Sequence, residues 1–346
     1  MEQINFDEYI RVIIRKKPLT LGKSFGNFKV CINQVDNCIV IKQSSDEQEK
    51  TYLYNFDTIF DETCTQQQIY RNAISPLIYS LFQGISATIW AYGQSGSGKT
   101  YTLIGFDDKH ENLGQIFLSA YEILGIIKSK DYFNCVQQQD FEEFVVYMSI
   151  YTLSNEIIND MLSDNHESLK IKQQTQEEYF YIESITKLKI SNEQEFLDAL
   201  HKGINKKNLN NKIKNQYFFV DIFLQRFDQD QKLIKSSFLR FIDFIGCQRT
   251  KRNYSSEYQR EIIQVYTSLC AFNRVICQLQ NLNAHIPYRD SQLTKLMKSS
   301  LGGNSRALMI CNLNIQQDID EIHSLLRSAK NVQEVKNFVW SKNYIL

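Results

Sequence analysis

The sequence predicts an α/β fold in which a central sheet is covered by helices on both faces. The sequence contains six short, continuous apolar runs, and such runs are typical of strands that are buried on both faces of a sheet. Amphipathic stretches at 66–83 and 257–280 have the spacing of helices that cover such a sheet. The six strand-like runs are 9–15, 86–92, 144–151, 217–225, 238–244 and 306–314.

The composition restricts the class of partner before any motif is considered. The 346 residues carry 39 Lys and Arg against 39 Asp and Glu, so the overall charge favours neither nucleic acid nor an anionic membrane. The eight cysteines form no CxxC pair and no zinc-type spacing, which indicates reduced thiols in the cytoplasm. No linker divides the chain, and no window holds eighteen uninterrupted apolar residues. We therefore expect one soluble unit with no nucleic-acid or membrane partner.

The segment GQSGSGKT at 93–100 fits the complete phosphate-binding pattern G-x-x-x-x-G-K-[ST]. It follows the strand-like run 86–92, as the pattern requires, and a chance match within a Gly/Ser-rich turn is the alternative. The glycines allow backbone N–H groups and a helix start to face phosphate oxygens, Lys99 adds positive charge, and the Thr100 hydroxyl suits Mg²⁺. The nucleotide-binding residues predicted from this motif are Gly93, Gln94, Ser95, Gly96, Ser97, Gly98, Lys99 and Thr100.

Longer segments around and after this loop carry a second pattern. SPLIYSLFQGISATIWAYGQSGSGKTYTLIG lies at 75–105, and HIPYRDSQLTKLMKSSLGGNSRALMICNLN lies at 285–314. These stretches resemble the motor domain of kinesins, and the segments at 10–19, 54–60, 148–162 and 327–337 are similar to further landmarks in the same order. The resemblance implies a P-loop NTPase of the kinesin motor type with a mixed central sheet. It implies a motor domain over 1–338 and a short tail over 339–346, with no coiled-coil stalk.

The resemblance also implies a bed for the adenine base. It would be built from Arg15, Lys17, Pro18 and Tyr101, with an apolar ring and an aromatic face enclosing the base. Ordinary packing at the end of a strand is the alternative for these residues. Lys17 stands where the family usually has arginine, which keeps the charge and loses planar stacking.

The chain departs from the family pattern at the two loops that sense the γ-phosphate. The first loop normally carries N-x-x-S-S-R-S-H, whereas 203–220 contains no Ser, Thr, Arg or His. The second normally reads D-x-x-G-S-E; here Asp243 and Gly246 remain, and Cys247 and Gln248 replace the serine and the glutamate. The resemblance implies that Asp243 still holds Mg²⁺ through water and that Gly246 still meets the γ-phosphate. The ion pair that joins the two loops in the family is absent.

This loss predicts slow hydrolysis with less effect on binding. Removing one member of a buried ion pair costs about 3–5 kcal/mol, whereas removing both can be nearly neutral. A missing preorganised contact lowers catalytic rates by about 10²–10³, so we expect hydrolysis at least roughly a hundredfold slower. The alternative is that Asn or Lys residues within 205–216 take over the missing roles.

In the family, the surface that faces tubulin follows the second loop. Basic residues cluster there, and the later segment extends them, which suits an acidic protein surface through salt-sensitive attraction. The alternative is a solvated helix face. The residues predicted to bind microtubules are Arg249, Lys251, Arg252, Arg260, His285, Arg289 and Lys295.

We therefore expect a divergent kinesin motor domain that binds ATP or ADP with Mg²⁺, attaches to microtubules, and hydrolyses ATP weakly or not at all. Its expected place is the cytoplasm and cytoskeleton, as an accessory subunit of a larger assembly such as the axoneme of a cilium. Two alternatives are open: an active microtubule-stimulated ATPase, and a nucleotide-bound interaction scaffold that does not attach to microtubules.

Overall fold

The computed structural model of the chain describes most of its length. The described residues are 5–19, 28–44, 49–105, 112–129, 143–165, 168–174, 179–209, 215–246, 256–281 and 285–341.

A mixed nine-stranded sheet lies at the centre of the described chain. Its strands are β2 (Arg11–Lys16), β6 (Thr58–Phe60), β7 (Ala87–Gly93), β8 (Glu143–Ser154), β9 (Ile157–Asp160), β12 (Leu188–Ile190), β13 (Tyr217–Phe227), β14 (Leu233–Asp243) and β15 (Arg306–Leu313). Their order is β12-β8-β13-β14-β7-β15-β2-β6, with β9 paired to β8. The half from β14 to β6 is parallel, and the half from β12 to β14 is antiparallel. All six strand-like runs form strands of this sheet, which confirms the predicted α/β class.

Three smaller sheets surround the central one. Their strands are β1 (Asn5–Tyr9) with β16 (Lys336–Trp340), β3 (Phe28–Asn33) with β4 (Cys38–Ser44) and β5 (Glu49–Asn55), and β10 (Ile171–Gln174) with β11 (Tyr179–Ile182). The sequence does not reveal them through apolar runs, because their strands are short and partly exposed. In β3, for example, no residue is fully buried.

Helices cover both faces of the central sheet. They are α1 (Gln66–Ile69), α2 (Ser75–Phe82), α3 (Lys99–Leu103), α4 (Gln115–Ser129), α5 (Glu193–Leu209), α6 (Ser256–Leu279), α7 (Gln292–Leu296) and α8 (Ile319–Gln333), with a 3₁₀ turn at Tyr288–Asp290. None of the helices in the described ranges is both long and apolar enough to cross a membrane.

The helical stretch predicted at 66–83 contains a π-helical segment, Tyr70–Ile74, between α1 and α2. Pro76 lies just beyond it and has no N–H to donate to the carbonyl of Asn72. The Arg11 guanidinium donates to that carbonyl at 3.3 Å. The proline therefore accounts for the local widening, and a side chain from β2 supplies the missing donor.

The two faces of the sheet hold two separate cores. Strand β7 illustrates the division, because Ile89 packs into the core beneath α2, α4 and α5, whereas Trp90 packs into the core beneath α6, α7 and α8. Both side chains are completely buried. The alternation of neighbouring side chains between the two cores is the physical reason for the continuous apolar runs in the sequence.

Two glycines allow the loop after β7 to lie directly against neighbouring strand ends. A Cβ at Gly93 would lie 2.4 Å from the carbonyl oxygen of Asn312, and φ at Gly93 is +148°. A Cβ at Gly246 would lie 2.6 Å from Cα of Ser95. No side chain fits at either contact, so the backbone itself fixes the loop between the ends of β14 and β15.

A buried ion pair joins β13 to β14. Arg240 donates from Nε and Nη2 to the two carboxylate oxygens of Asp221 at 2.8 and 2.7 Å. Its Nη1 donates to the carbonyl of Leu296 at 2.6 Å, and the Tyr151 hydroxyl donates to Asp221 at 3.2 Å. Burial raises the pKa of Tyr151 well above its ordinary value, which keeps the hydroxyl protonated as a donor.

The first prediction concerns this ion pair. Asp221→Ala leaves the Arg240 guanidinium buried without its carboxylate, so the free energy of unfolding should fall by about 3–5 kcal/mol. Equilibrium urea denaturation measures the change. Glu183→Ala is the matched control, because it breaks the ion pair with Lys172, whose side chains are 52% and 41% exposed. The midpoint of the control should barely move; an equal loss in both variants would contradict a special role for the buried pair.

The second prediction concerns the contact at Gly246. Gly246→Ala forces a methyl group against the backbone of Ser95, which should destabilise the fold by about 1–3 kcal/mol. Gly125→Ala is the control, because no atom lies within 4 Å of its Cβ on α4. Alanine is the better helix former by about 1 kcal/mol, so this variant should be the more stable. If both variants shift the midpoint of urea denaturation in the same direction, the contact at Gly246 does not restrict the size of the residue there.

Candidate functional site

The loop Gln94–Gly98 lies at the carboxyl edge of the parallel strands β14, β7 and β15. Ligands of α/β sheets bind at this edge. Helix α3 begins at Lys99 and ends at Leu103, which is little more than one turn. The helix start predicted after the loop is therefore present but short, and the loop itself provides most of the site.

A hydroxyl beneath the loop joins three parts of the chain. Thr102 donates from Oγ1 to the carbonyl of Gly98 at 2.9 Å, and it accepts from Asn312 Nδ2 at 2.7 Å and from Arg15 Nη1 at 2.9 Å. Sequence analysis did not identify Thr102 or Asn312 as part of the site. The signal for Asn312 was its place at the end of the strand-like run 306–314, next to the phosphate loop in the parallel sheet.

The four residues predicted to form the adenine bed divide into two groups. Arg15 is buried, donates to Gln66 Oε1 at 2.8 Å, and lies 5.0 Å from the Tyr101 ring centroid. Burial lowers its pKa, and the charges of Tyr101 and Cys64 oppose that shift. These contacts are the strand-end packing that was its alternative role, and a contact between Arg15 and the base stays a prediction.

The other members of the bed lie closer to the surface. The Lys17 ammonium donates to the carbonyl of Gly96 at 2.7 Å, so it fastens β2 to the phosphate loop. Pro18 is exposed and Tyr101 is half-buried. A base could reach these two side chains, and their contact with adenine stays a prediction.

The two predicted Mg²⁺ ligands contact each other. The Thr100 hydroxyl donates to Asp243 Oδ2 at 2.6 Å, and the Asp243 side chain is buried at the end of β14. Oδ1 of Asp243 is buried and has no hydrogen-bond partner within the described ranges. A hydroxyl beside a buried carboxylate oxygen without a donor is a donor set that suits a hard cation.

A lysine from the first γ-phosphate-sensing segment also reaches this carboxylate. Lys207, in the last turn of α5, lies with Nζ 3.8 Å from Asp243 Oδ2 and 4.7 Å from the Phe218 ring centroid. Burial lowers the pKa of its ammonium, and the Asp243 carboxylate opposes that shift. Sequence analysis included Lys207 only among the lysines of 205–216, because nothing in the local sequence distinguishes it from Lys206.

The phosphate loop contains buried polar atoms that have no hydrogen-bond partner among the described residues. Gln94 Nε2 and Oε1 and Ser97 Oγ are buried without a hydrogen-bond partner in the described chain. A Cβ at Gly96 would meet no atom within 4 Å. The Lys99 ammonium is buried within the loop and donates to the carbonyls of Gly93 and Gln94 at 3.1 and 2.8 Å. The donors Gln94 Nε2, Ser97 Oγ and Lys99 Nζ fit a phosphate group, since a bound anion would accept hydrogen bonds from them.

Part of the predicted site lies outside the described residues. Cys247 and Gln248 of the second sensing loop lie there, as do three of the basic residues predicted to meet the track, Arg249, Lys251 and Arg252. Arg260 belongs to α6, although its side chain is outside the description.

The remaining predicted track residues lie on one segment beside the β10–β11 hairpin. His285 and Arg289 are exposed, and Arg289 donates to Gln173 of β10 at 2.9 Å. Lys295 is half-buried, and its ammonium donates to Gln292 at 3.4 Å. The structure thus places these three residues on the 285–296 segment, and their contact with a track stays a prediction.

Comparison with known proteins identifies relatives of this chain. It is 30% identical over 343 residues to the kinesin-like protein klp-20 of Caenorhabditis elegans, over 95% of this chain and 51% of that protein. It is 26% identical over 343 residues to the kinesin-like protein Klp68D of Drosophila melanogaster, over 96% of this chain and 42% of that protein. The chain therefore spans about half or less of the length of these relatives.

The fold matches as well. The solved structure of a fast kinesin, studied for its ATPase mechanism and its interactions with microtubules, matches with a TM-score of 0.82 at 25% identity. The match covers 96% of this chain and 93% of that one, which confirms the kinesin motor-type P-loop architecture with its mixed sheet. The profile of the kinesin motor domain matches residues 15–335, and the chain therefore belongs to the kinesin motor domain family.

Proposed function

We propose that this motor domain binds ATP or ADP with Mg²⁺, attaches to microtubules, and hydrolyses ATP weakly or not at all. One observation carries the proposal. The phosphate loop and the pair Thr100–Asp243 are assembled, whereas the first sensing segment brings a lysine to them in place of a hydroxyl and an arginine.

Nucleotide binding is supported by the charged and polar groups of the phosphate loop. Lys99 supplies a buried positive charge, and Gln94 and Ser97 supply buried polar atoms without partners in the described chain. Each unsatisfied buried polar group costs about 1–3 kcal/mol, so a ligand that pairs them recovers part of that free energy. Bound Mg²⁺ would neutralise phosphate charge, and Thr100 and Asp243 are the residues that would hold it.

Weak hydrolysis follows from what the sensing segments lack. Transition-state stabilisation depends on groups that are aimed at the reacting phosphoryl group and at water before the reaction begins. Residues 203–220 carry no Ser, Thr, Arg or His, and Gln248 has replaced the glutamate of the second loop. Ground-state contacts remain, so binding should survive a loss of at least about a hundredfold in rate.

Microtubule attachment is supported by family membership and by the basic residues of the 285–296 segment, of which Arg289 is exposed and Lys295 is half-buried. We further propose that the chain serves as an accessory subunit of a microtubule assembly in the cytoskeleton, such as an axoneme. A motor that grips its nucleotide without turnover would suit a structural position, and that placement is argued from the fold alone.

An active microtubule-stimulated ATPase is the second candidate. The observation in its favour is that Lys207, at the end of α5, lies 3.8 Å from Asp243, so this lysine could take over a role of the missing groups. The two candidates differ in one measurable quantity, the rate of phosphate release in the presence of microtubules.

The third prediction tests turnover and binding together. The wild-type protein should bind fluorescent ADP in the presence of Mg²⁺ and release phosphate from ATP at least about a hundredfold more slowly than an active kinesin motor domain measured in parallel. Lys99→Ala removes a buried cation from the phosphate loop and should weaken ADP binding about tenfold or more. Lys128→Ala, on the distant helix α4, is the control and should bind as the wild type does. Clear microtubule-stimulated phosphate release would replace this proposal by the active ATPase.

The fourth prediction tests the track surface. Combining Arg289→Ala with Lys295→Ala should lower the affinity for microtubules about threefold or more in co-sedimentation, because two charges facing an acidic surface are removed. The loss should shrink at high salt, where such attractions are screened. Lys128→Ala again serves as the control, since Lys128 is 55% exposed on another face. If the wild type does not co-sediment at all, the chain is a scaffold away from microtubules.

A further inference from the structure

Lys207 lies beside the two predicted Mg²⁺ ligands and has no role in the phosphate-binding motif. Its ammonium lies 3.8 Å from Asp243 Oδ2. Among the described residues, this is the only ion pair that Asp243 forms. The same carboxylate oxygen accepts the hydroxyl of Thr100. A fixed cation therefore lies beside the two residues that would hold Mg²⁺.

The surrounding contacts hold Lys207 in this place. On the same helix, Lys206 donates to the carbonyls of Asp160 and Ser163, and Lys202 donates to the carbonyl of Leu162 at 3.0 Å. These bonds fasten the end of α5 to the segment after β9. The Phe218 ring lies 4.7 Å from the Lys207 ammonium, which gives the cation a second favourable contact.

The charges explain why a lysine can serve here. A buried carboxylate is costly unless a cation or hydrogen bonds compensate it. In a site that relies on a metal, the ion supplies that compensation and neutralises phosphate as well. Lys207 compensates Asp243 through the protein chain itself, and its positive charge adds to that of Lys99 at the phosphate loop.

We propose that Lys207 is a built-in cation on the metal side of the site, so that the chain retains a nucleoside diphosphate with only a weak requirement for Mg²⁺. The inference rests on the proposed nucleotide binding. Lys207 positions charge at Asp243 and beside Thr100, and this positioning is independent of dissolved metal.

The fifth prediction is a comparison of ADP binding with and without the metal. The dissociation constant of fluorescent ADP is measured in Mg²⁺ and in EDTA for the wild type, Lys207→Met and Lys202→Met. EDTA should weaken binding by the wild type and by Lys202→Met less than about tenfold. It should weaken binding by Lys207→Met by a further factor of about tenfold to hundredfold, the value of one charge-assisted contact.

Each outcome decides the proposal. Lys202→Met is the matched control, because it removes a lysine of the same helix whose side chain is 50% exposed and lies against Leu162 and Asp164. Lys207→Arg keeps the charge and should keep the wild-type ratio. The EDTA ratio is the dissociation constant of ADP in EDTA divided by the dissociation constant in Mg²⁺. If this ratio is the same in Lys207→Met and in the wild type, the inference is overturned, even where Lys207→Met binds ADP more weakly in both conditions.

Two further controls separate this inference from the function on which it rests. If the wild type binds no ADP even with Mg²⁺, the proposed nucleotide function fails first and the inference fails with it. If Lys207→Met does not give a cooperative thermal transition, Lys207→Gln and Lys207→Arg provide the same comparison of uncharged and charged side chains.

Discussion

The site depends on two contacts between backbones where no side chain fits. Gly93 approaches the carbonyl of Asn312 and Gly246 approaches Ser95, so the phosphate loop is fixed between the ends of β15 and β14. Because these contacts involve main-chain atoms, they place the loop more rigidly than side chains could. Thr100 then lies opposite Asp243, and Thr102 lies within reach of Asn312 and Arg15. The geometry of the metal side is thus a consequence of strand ends that meet without side chains between them.

The same arrangement buries the Asp243 carboxylate, and a buried carboxylate must be compensated by a cation or by hydrogen bonds. The Asp243 carboxylate is compensated by the Thr100 hydroxyl and, among the described residues, by the Lys207 ammonium at 3.8 Å. Asp221 differs from Asp243, because both of its carboxylate oxygens accept hydrogen bonds from Arg240. Asp243 keeps one buried oxygen without a donor within the described ranges. The structural pair satisfies both oxygens of Asp221, whereas the second oxygen of Asp243 is available for the cation that we propose.

The sequence was sufficient for six strands of the central sheet and for the phosphate loop, because both follow from local patterns, whereas β9 and β12 were not predicted. Strands buried on both faces leave continuous apolar runs, and the loop has a fixed spacing of glycines and lysine. The sheet β3–β4–β5 escaped prediction because its strands are partly exposed, and β3 has no fully buried residue. Lys207 escaped because its role depends on where α5 ends and on which face of the helix meets β14. The neighbouring Lys206, with the same local sequence, points to a different partner.

The lysine at Asp243 also bears on the loss of the usual sensing residues. A segment that senses the γ-phosphate must change its contacts when that group leaves, and exchangeable groups such as hydroxyls, water and metal ions allow such a change. The Lys207 ammonium is carried by α5 and lies 3.8 Å from Asp243 Oδ2, so contacts within the protein chain suffice to place it there. On the proposed role of Lys207, its charge would contribute to affinity in every nucleotide state and would therefore discriminate poorly between states. A site of this kind would favour retention of the nucleotide over a cycle of conformations, and this is the physical link that we propose between the missing hydroxyls of 203–220 and weak hydrolysis.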